Sequence, residues 1–500
     1  MNIVSSFRMK EIDRISIEER GFGNLLLMEN AGIRILEAAL NDIDFNKKTV
    51  VCAAGSGNNG GDSLVIARQL YSQYNIPVSV IICKDKGSEA FEFHLKLCKN
   101  LGIDIFNAGS NADSSSIKNL LANSDIVFDG ISGTGISGAL RGTAAELTKL
   151  INSFELTCLA IDLPSGTGES FRAEYPALRA DYTYTVGLPK RSLYLPSARE
   201  YCGDIRRVRI GFPGDLTDAV GAEPDGRDWR LINKDDIQRL SPKPGIGDYK
   251  NSRGHLAVFA GSPGTSGAAS LCAEAGLRSS AGLVSLFADE DTYPVLAGRH
   301  KAVMIKPEPD GDSNLPDLSK YQAAAAGPGW GLTEKRSAQL RRIITESRGV
   351  LDADALTLLA ALSVQEPDSM DLGCRWVLTS HAGEFRRLIP GIEPLENPYA
   401  AVPAAAEKYN AVVLLKGSVS FIAAPDGRSA VLDGCYPRLG TAGSGDLLCG
   451  IIAGYAASGM DLFDAAVLGA AVHLNAARLC GVQRRWFTAD ELIDYIGRIS

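Results

Sequence analysis

The chain has no C-x-x-C pair, no uninterrupted apolar run approaching about 18 residues, and no block of Lys and Arg. Its ten cysteines stand singly, mostly inside apolar runs such as TVVCAA, which favours small buried side chains over disulfides or a zinc site. The lack of a long apolar run excludes a predicted membrane-spanning helix. Scattered basic residues and a net charge of −8 argue against nucleic-acid and membrane-surface partners.

The N-terminal segment MNIVSSFRMKEIDRISIEER carries charges where a signal peptide needs an apolar core, so we expect a cytoplasmic protein. Of the 500 residues, 45% are hydrophobic and 22% are charged, which is the balance of a soluble globular protein. Because α/β domains often reach about 250 residues, this length predicts two large α/β domains.

Five short apolar runs in the first part predict β-strands, at residues 49–54, 76–83, 125–130, 156–162 and 181–187. Helical spacing separates most of them, as in SLVIARQLYSQY. Short apolar strands that alternate with helices predict a parallel sheet covered on both faces. Three of the strands end in glycine-rich or Pro-Ser-Gly loops, and we expect these loops to share one crevice at the carboxyl ends of the strands.

Residues 214–251 are polar and rich in Pro, Gly and Asp, and they predict a domain boundary near residue 222. The predicted domains are therefore 1–222 and 223–500. The second part begins a new α/β series, with strands predicted at HLAVFAG, GLVSLFA, YQAAAAG, RWVLTS and AVVLLKG. A hairpin is predicted to turn at Asp426 and Gly427.

The segment GSGNNGGD, residues 55–62, combines four glycines with two asparagines and an aspartate. A strand is predicted to end at Ala54 and a helix to open near Ser63. Glycines let backbone amides approach a ligand, and a helix N-terminus favours anions, so this segment predicts a cradle for phosphate or pyrophosphate. The alternative is a tight strand-to-helix connection in which Asp62 is only a helix cap.

Oxygen-bearing side chains accompany this cradle. Asp129 stands at a strand end in FDGISGTG, Asp162 and Ser165 follow another strand in IDLPSG, and Asn58 and Asn59 lie in the cradle. Such groups are ligands for a hard cation. A cation that bridges to phosphate would explain why acidic groups lie beside an anionic ligand.

In the second part, GTAGSGD places Gly440, Gly443 and Gly445 directly before Asp446 and a long helix of small residues. Amides at that helix start can stabilise a phosphoryl group, and the carboxylate can take a proton from an attacking hydroxyl. Lys416, at the end of the predicted strand in LLKG, is a candidate for nucleotide phosphates. The alternative is a glycine-capped buried helix with Asp446 as its N-cap.

Other loops of the second part carry candidate polar groups. His381 stands at a predicted strand end, and because no two of the five histidines have zinc-ligand spacing, we expect it to bind substrate and not metal. Two glycine-rich turns and two acidic segments complete the set: residues 261–269, Gly327 with Gly329, Asp352 with Asp354, and Glu384.

The motifs LMENAG, GSGNNGGD, FDGISGTG and AIDLPSG, in that order over residues 1–215, resemble the epimerase domain of NAD(P)H-hydrate repair enzymes. The resemblance implies a Rossmann-like parallel-sheet domain that interconverts the R and S forms of hydrated NADH and NADPH. Ser63 departs from the family, which usually has Gly there. The resemblance implies a potassium ion on Asn59, Asp129 and Ser165, a catalytic Asp162, and a hydrate site at Asn58, Asn59, Gly60, Gly61, Asp62, Gly133, Thr134, Gly135, Ile136, Ser137, Gly138, Ala139 and Asp162.

Residues 229–500 resemble the ribokinase-like fold and, within it, the ADP- or ATP-dependent dehydratase domain of the same family, through GxGD, LKG, GPG, DADAL and HxGEF. Ser380 and Ser444 depart from the usual Pro and Met or Thr without removing a reactive group. The resemblance implies Mg²⁺, ADP or ATP as co-substrate, and a catalytic Asp446. It places the hydrate at Ala269, Gly329, His381 and Asp446, and the nucleotide at Lys416, Gly417, Ser418, Val419, Ser420 and Gly445.

Together the two resemblances imply a bifunctional enzyme, expected as a homo-oligomer, whose substrates are hydrated NADH and NADPH. The first domain would convert the R-hydrate to the S form, and the second would phosphorylate the ring hydroxyl so that phosphate leaves and the double bond returns. Two alternatives remain open. The second domain could be a ribokinase-like kinase of another small alcohol, and the first could be a nucleotide-binding module that only regulates its partner.

Overall fold

The computed structural model describes residues 1–110, 113–219, 223–309, 314–365 and 370–499. It divides into two compact units, one of Asn2–Asp228 and the other of Trp229–Ser500 with Met1. The predicted boundary at residue 222 lies outside the described residues. Trp229 belongs to the second unit because its buried ring packs edge-on against Tyr399 and Phe421, with ring centroids 5.0 and 5.9 Å away.

Among the described residues of the first unit, seven parallel strands form one sheet in the order β4-β3-β2-β5-β6-β7-β8. The five predicted strands are present, and β4 and β8 are added at the two edges. Neither strand is apparent from the sequence, because β4 has only three residues and three of the five residues of β8, DIRRV, are charged. The strands are β2 (Val50–Ala54), β3 (Val78–Ile82), β4 (Ile105–Asn107), β5 (Ile126–Gly130), β6 (Thr157–Ile161), β7 (Tyr182–Val186) and β8 (Asp204–Val208); a two-residue β1 (Asn2–Ile3) precedes them.

Helices cover this sheet on both faces, as the predicted parallel sheet requires. Two apolar clusters fill the spaces between sheet and helices, one around Cys52 and Leu64 and the other around Val51 and Val127. The helices are α1 (Ser6–Arg14), α2 (Asn24–Asp42), α3 (Asn58–Ser72), α4 (Glu89–Asn100), α5 (Ser114–Ala122), α6 (Gly142–Ile151) and α7 (Gly214–Thr217), with a π-helical turn at Ile15–Glu19 and 3-10 turns at Arg191–Tyr194 and Arg199–Tyr201.

Within its described residues, the second unit contributes ten strands to one sheet, in the order β9-β18-β17-β16-β15-β14-β13-β10-β11-β12. The predicted hairpin is confirmed, since the antiparallel β17 and β18 flank Asp426 and Gly427, and Gly427 has a φ of +95°. The strands are β9 (Trp229–Leu231), β10 (His255–Phe259), β11 (Leu283–Ala288), β12 (Met304–Pro307), β13 (Ala323–Ala326), β14 (Gly349–Asp352), β15 (Trp376–His381), β16 (Val412–Lys416), β17 (Val419–Ala423) and β18 (Ser429–Asp433).

The helices of this unit pack on its sheet, and together the two units confirm the predicted α/β class. They are α8 (Lys234–Leu240), α9 (Ser266–Arg278), α10 (Tyr293–Ala297), α11 (Glu334–Glu346), α12 (Ala353–Gln365), α13 (Ala382–Leu388), α14 (Pro398–Tyr409), α15 (Ser444–Ala457), α16 (Leu462–Gln483) and α17 (Ala489–Ile499), with 3-10 turns at Leu318–Lys320 and Pro437–Leu439.

Helix α16 differs from the expectation that no helix of this chain is long and apolar enough to span a membrane. Within the described residues, α16 is long and apolar enough to cross a membrane by length and composition. Asp464, Asn475 and Arg478 interrupt its apolar residues, so it contains no unbroken run, but its many Ala, Leu and Val residues keep the average hydropathy high. In the structure 72% of the most apolar stretch of α16 is buried, as is typical of a helix in the core of a soluble protein.

Candidate active sites

In the first unit, β2, β5 and β6 end at a cavity of about 520 Å³. The strand order reverses at β2, which lies between β3 and β5, and open parallel sheets bind ligands at such a point. Among the described residues, Gly61, Ser137, Gly138 and Ala139 do not line this cavity. The other predicted hydrate-site residues line it: Asn58, Asn59, Gly60, Asp62, Gly133, Thr134, Gly135, Ile136 and Asp162.

The NNGGD segment forms the start of a helix and not the loop before one. The prediction that the helix opens near Ser63 is wrong, because α3 begins at Asn58 with Gly57 as an extended N-cap. The first backbone amides of a helix have no partner within it and are available to an anion. Asp62 lies inside α3, so the alternative in which it caps the helix is also wrong.

Two glycines of this helix make room for protein atoms. A Cβ on Gly60 would collide with the carbonyl oxygen of Gly55, and a Cβ on Gly61 would collide with Sδ of Met28. Within the described part of the chain, Gly57 and Gly135 have open space at the same position. Bare backbone therefore faces the cavity at Gly57 and Gly135, whereas Gly60 and Gly61 allow α3 to pack closely.

Ser63, which stands where the family usually has glycine, faces the sheet. Its side chain is fully buried, and its hydroxyl donates to the carbonyl oxygen of Ala53 over 3.3 Å. It is not among the described residues that line the cavity. The substitution of serine for glycine therefore leaves the surface that meets a ligand unchanged.

Asp162 forms an ion pair with Lys190 in this cavity. Lys190 follows β7, and its side chain is only 1% exposed. The same Asp162 oxygen accepts from the amide of Val186 over 3.0 Å, while Nζ of Lys190 donates to the carbonyl oxygen of Val186 over 2.6 Å. The predicted position of Asp162, at a strand end and facing the crevice, is as expected, and its lysine partner holds the carboxylate in place.

Two further carboxyl groups, those of Asp13 and Asp62, line the same cavity. Burial raises the pKa of Asp62 well above its ordinary value, and the charges of Asp162 and Asp13 raise it further. Burial likewise raises the pKa of Asp13 to about 6, although the Lys190 charge acts in the opposite direction. The cavity thus holds two carboxyl groups whose pKa is raised beside a third that is ion-paired.

The three predicted potassium ligands lie together at the ends of β5 and β6 and the start of α3. The Ser165 hydroxyl donates to Asp129 Oδ1 over 2.5 Å, and the Ser165 amide donates to Asp129 Oδ2 over 2.7 Å. Nδ2 of Asn59 donates to the carbonyl oxygens of Ser132 and Ile161 over 3.0 and 2.9 Å. Hydroxyl, carboxylate and carbonyl oxygens and the Asn59 side-chain amide therefore lie at one place.

This oxygen cluster fits a hard cation. The Asp129 side chain is fully buried, and burial raises its pKa to about 6. Within the described residues, no Lys or Arg side chain forms an ion pair or hydrogen bond with it. A buried carboxylate without a cationic neighbour, surrounded by other oxygens, is a donor set for K⁺.

In the second unit, Lys416 at the end of β16 points toward acidic residues. Its Nζ donates to Asp352 Oδ1 over 2.7 Å and lies 3.9 Å from a Glu384 oxygen. Burial alone would lower the pKa of Lys416, but the Asp352 and Glu384 carboxylates outweigh it and raise that pKa. Lys416 is therefore a fixed positive charge at the carboxyl ends of β14, β15 and β16.

Asp446 lies beside this charge, in the first turn of α15. Gly443 is the N-cap, with a φ of +86°, so the alternative in which Asp446 is the N-cap is wrong. Burial raises the pKa of Asp446 to about 6, Asp352 and Asp354 add to the shift, and Lys416 opposes it. A Cβ on Gly445 would stand 3.7 Å from Nζ of Lys416, so the helix start and the lysine are neighbours.

The glycine turn after β10 and the GPG loop after β13 contact each other. The Gly329 carbonyl oxygen accepts from the hydroxyls of Ser262 and Thr265 over 3.0 and 2.8 Å. Gly329 has a φ of +56°, and a Cβ there would crowd Thr265. The Ala269 methyl group is fully buried, close to the position of a Cβ on Gly261, so Ala269 offers no side-chain surface to a hydrate.

His381 ends β15 and caps α13. Its Nδ1 accepts from the amides of Gly383 and Glu384 over 2.9 and 3.3 Å, and the Glu384 carboxylate accepts from the His381 amide over 2.8 Å. This reciprocal arrangement is a capping box. The His381 side chain is 57% exposed, Nδ1 has a structural role, and Nε2 lies 3.4 Å from Glu384 Oε1. Substrate binding by His381 stays a prediction.

The predicted nucleotide segment runs from the end of β16 into β17. Gly417 and Ser418 are exposed in the turn, Ser420 is half-buried, and Val419 is buried at the start of β17. Ligand contacts in this segment would therefore come from the turn backbone, the Ser418 and Ser420 hydroxyls, and Lys416.

Comparison with known proteins matches both units. A family model described as NAD(P)H-hydrate dehydratase matches residues 256–498, and one described as YjeF-related protein N-terminus matches residues 24–192. The bifunctional NAD(P)H-hydrate repair enzyme Nnr of Coxiella burnetii is 32% identical over 94% of this chain and 93% of its own. The enzyme of the same name from Salinibacter ruber is 31% identical over 100% of this chain and 96% of its own.

The chain belongs to the bifunctional NAD(P)H-hydrate repair enzyme family. This confirms the resemblance seen in the sequence. A solved structure of the ADP/ATP-dependent NAD(P)H-hydrate dehydratase from Bacillus subtilis, crystallised with ATP and Mg²⁺, covers 54% of this chain and 97% of its own, with 24% identity and a TM-score of 0.47.

Two residues of this family member's first site, Lys190 and Asp13, were missed by the sequence analysis. Lys190 follows β7, so the rule that parallel strands end at one edge could have placed it near Asp162, but a loop lysine usually lies in solvent. Asp13 stands in KEIDRISIEER, whose frequent charges are typical of a solvated helix face, and the sequence carries no mark that separates it from its neighbours.

Proposed function

We propose that this chain repairs hydrated NADH and NADPH in two steps. The unit of residues 2–228 epimerises the R and S hydrates, and the unit of residues 229–500 dehydrates the S form with ADP or ATP. The observation that supports this most is the coexistence, in one family member, of the Asp162–Lys190 pair in a 520 Å³ cavity and of Asp446 beside Lys416 at a glycine-rich helix start.

In the epimerase unit, the start of α3 and the Gly133–Gly135 loop bind the phosphates through backbone amides, and the hydrated ring occupies the cavity beside Asp162. Epimerisation must loosen and remake the bond between the ring carbon and its hydroxyl, which requires a proton to move. Asp162, as the partner of a lysine ammonium, is present as a carboxylate and accepts that proton. Lys190 positions Asp162 and keeps its charge balanced.

Potassium is proposed for the oxygen cluster of Asn59, Asp129 and Ser165. The ion would supply positive charge that balances Asp129 and attracts the anionic dinucleotide. The Ser165 hydroxyl and the Asn59 side-chain amide would hold it, together with the Asp129 carboxylate. Without the ion, the Ser165 hydroxyl and amide and the Ile131 amide donate to Asp129.

In the dehydratase unit, Asp446 takes the proton of the ring hydroxyl. The oxygen of that hydroxyl forms a bond to the terminal phosphorus of the nucleotide, and the bond between this phosphorus and the rest of the nucleotide breaks. The α15 amides stabilise the charge on the transferred group. Phosphate then leaves with the electron pair of the C–O bond, a proton leaves the neighbouring ring carbon, and the double bond returns. Phosphate is a far better leaving group than hydroxide.

Mg²⁺ is proposed as the companion of the nucleotide. Within the described residues, no group of three or more His, Cys, Asp and Glu side chains is placed to hold a metal ion. A magnesium ion at this site would therefore be held largely by phosphate oxygens, as is common for Mg²⁺, with single contacts from carboxylates such as Asp446 or Asp354. The ion would neutralise phosphate charge.

The test uses the purified full chain and a mixture of hydrate epimers followed by chromatography or NMR. Without nucleotide, an enriched R-hydrate should relax to the mixture of R and S. With ADP or ATP, both epimers should return to reduced nicotinamide dinucleotide with release of phosphate. A stable phosphorylated alcohol would instead support a ribokinase-like kinase, and R-hydrate that binds without epimerising would support a regulatory module.

Homo-oligomer formation, a cytoplasmic location, and the absence of nucleic-acid and membrane partners stay predictions.

A further inference from the structure

The first cavity contains more carboxyl groups than substrate binding and a single base require. Asp13 on α1, Asp62 on α3 and Asp162 after β6 share it with one buried lysine, Lys190. Lys10 also lines the cavity, so three ionised carboxyl groups together with Lys190 and Lys10 would carry a net charge of −1 in a place where an anionic dinucleotide has to bind. A proton on one of the carboxyl groups removes this excess negative charge and favours entry of the substrate.

Asp13 lines the cavity in which the hydrated nicotinamide ring is proposed to bind. On α1, Met9, Lys10 and Asp13 face the cavity at helical spacing, and the helix continues into the π-helical turn Ile15–Glu19. Its side chain is partly accessible, and within the described residues its carboxyl group accepts or donates no hydrogen bond. A partly buried carboxyl group without a fixed partner is free to make its hydrogen bond to a bound molecule.

We propose that Asp13 is the general acid of the epimerase, which delivers a proton to the hydroxyl that leaves the hydrated ring while Asp162 accepts a proton from the water that replaces it. This inference rests on the proposed epimerase function and adds a second catalytic residue to it.

The step balances as follows. The Asp13 proton moves to the hydroxyl oxygen, the C–O bond breaks with its electron pair leaving as water, and the lone pair of the adjacent ring nitrogen forms a C=N bond. Water then adds to the other face of that carbon, the C=N pair returns to nitrogen, and the surplus proton goes to Asp162. A proton exchanged between the two carboxyl groups through solvent restores the starting state, and no oxidant or co-substrate is consumed.

Asp62 is the weaker candidate for this acid. Burial and the Asp162 and Asp13 charges all oppose its ionisation, so Asp62 releases a proton less readily than Asp13 does. The pKa of Asp13, raised to about 6 by burial, is close to the working pH, where a group both gives and regains a proton readily. Asp62, Asp162, Lys190 and Lys10 are the charged or titratable groups that share the cavity with Asp13.

The experiment compares Asp13→Asn with Glu11→Gln in the full chain. Glu11 lies on the same helix, pairs with Arg14 at the surface, and is not among the described cavity residues. Epimerisation is followed without nucleotide across pH 5–8, and dehydration of pure S-hydrate by the same samples reports on the intact second unit. Asp13→Asn should lower kcat for epimerisation by at least about tenfold with little change in KM, while Glu11→Gln should match the wild type.

The pH profile adds a readout that a structural role would not move. Because the acid form of Asp13 acts, the wild-type kcat/KM for epimerisation should fall as the pH rises above about 6, and Asp13→Asn should lose this decline. A wild type that does not epimerise overturns the proposed function and this inference with it. A wild type that epimerises with a flat profile, or an Asp13→Asn variant as fast as the wild type, overturns the inference alone.

Discussion

Nζ of Lys416 lies 2.7 Å from Oδ1 of Asp352, so the lysine predicted for nucleotide phosphates already has a carboxylate partner. The Asp352 side chain is 2% exposed and that of Lys416 is 20% exposed. The pair comes from the carboxyl ends of β14 and β16, on either side of β15. The ammonium is thereby fixed next to the start of α15, where a transferred phosphoryl group would lie.

We expect Asp352→Asn to destabilise the second unit by about 3 kcal/mol, because it removes the carboxylate that accepts from the largely buried Lys416 ammonium and leaves that charge with the more distant Glu384 oxygen and with Asp446. All four tryptophans lie between residues 229 and 486, so tryptophan fluorescence during urea unfolding reports on this unit. Asp494→Asn is the control, since Asp494 is 70% exposed in its ion pair with Arg278 and should change stability by less than about 1 kcal/mol. Equal losses in the two variants would contradict a structural role for the Lys416–Asp352 pair.

Asp446→Asn should lower dehydration of the S-hydrate by about 10²- to 10⁴-fold and leave epimerisation intact. Because Asp446 acts as a base, the wild-type rate should rise with pH through about 6 and then level off. The raised pKa also means that ionised Asp446 destabilises the fold, so stability falls as the pH rises from about 4 to 6. Above that range the asparagine variant should be at least as stable as the wild type.

The control for this experiment is Asp490→Asn, which changes an exposed carboxylate in the first turn of α17. It should dehydrate S-hydrate at the wild-type rate. If Asp446→Asn also dehydrates S-hydrate at that rate, Asp446 is not the base, and Asp354 or Asp352 has to be considered in its place.

The sequence predicted β2, β3, β5, β6 and β7 of the first sheet and β10, β11, β13 and β15 to β18 of the second, because apolar β-rich runs are local properties of the chain. It did not predict β4, β8, β9, β12 and β14, of which all but β8 have three or four residues. It misplaced the start of α3, since two glycines in NNGGD indicate a loop. Those glycines are there because Gly55 and Met28 pack against the helix. The contact of Gly61 with Met28 joins two helices, and such packing leaves no mark in the local pattern.

Lys190 and Asp352 show that the local sequence also does not reveal which side chains form ion pairs within the two sites. Asp352 was a candidate because it stands in DADAL, but that it pairs with Lys416 across β15 depends on the strand order. Asp13 reaches the first cavity only because α1 packs at the end of the sheet. Ion pairs and shifted pKa values arise from the assembled fold, whereas motif spacing indicates only which residue types are available.

Asp162→Asn should lower epimerisation by at least about tenfold, because the amide cannot accept a proton as the carboxylate does. Asp162 has a φ of +66°, a backbone conformation that Asn tolerates as well as Asp does, so the backbone should be preserved. The variant leaves the buried Lys190 ammonium without its ionic partner, so some loss of stability is expected as well.

A double-mutant cycle separates these two effects of Asp162→Asn. Lys190→Met removes the charge that Asp162→Asn leaves unpaired, so the double variant should regain stability relative to Asp162→Asn while epimerisation stays low. Thermal melting and the epimerisation assay measure the two outcomes. If epimerisation recovers together with stability, Asp162 acts only through the fold, and the proton acceptor is another group in the cavity.

Potassium should accelerate epimerisation, because the buried Asp129 carboxylate sits among oxygen donors without a cationic side chain among the described residues. Thoroughly potassium-free protein is assayed in tetramethylammonium chloride, and KCl is then added at constant ionic strength. The epimerisation rate should rise and saturate with KCl, and Ser165→Ala should need more KCl for the same effect because it removes one ligand. Ser153→Ala is the control, since Ser153 is exposed and its hydroxyl donates to the Leu150 carbonyl oxygen of its own helix end, away from the described cavity residues. Dehydration of S-hydrate in the same samples should not depend on Ser165. An epimerisation rate that is the same in tetramethylammonium and potassium would exclude the ion from this site.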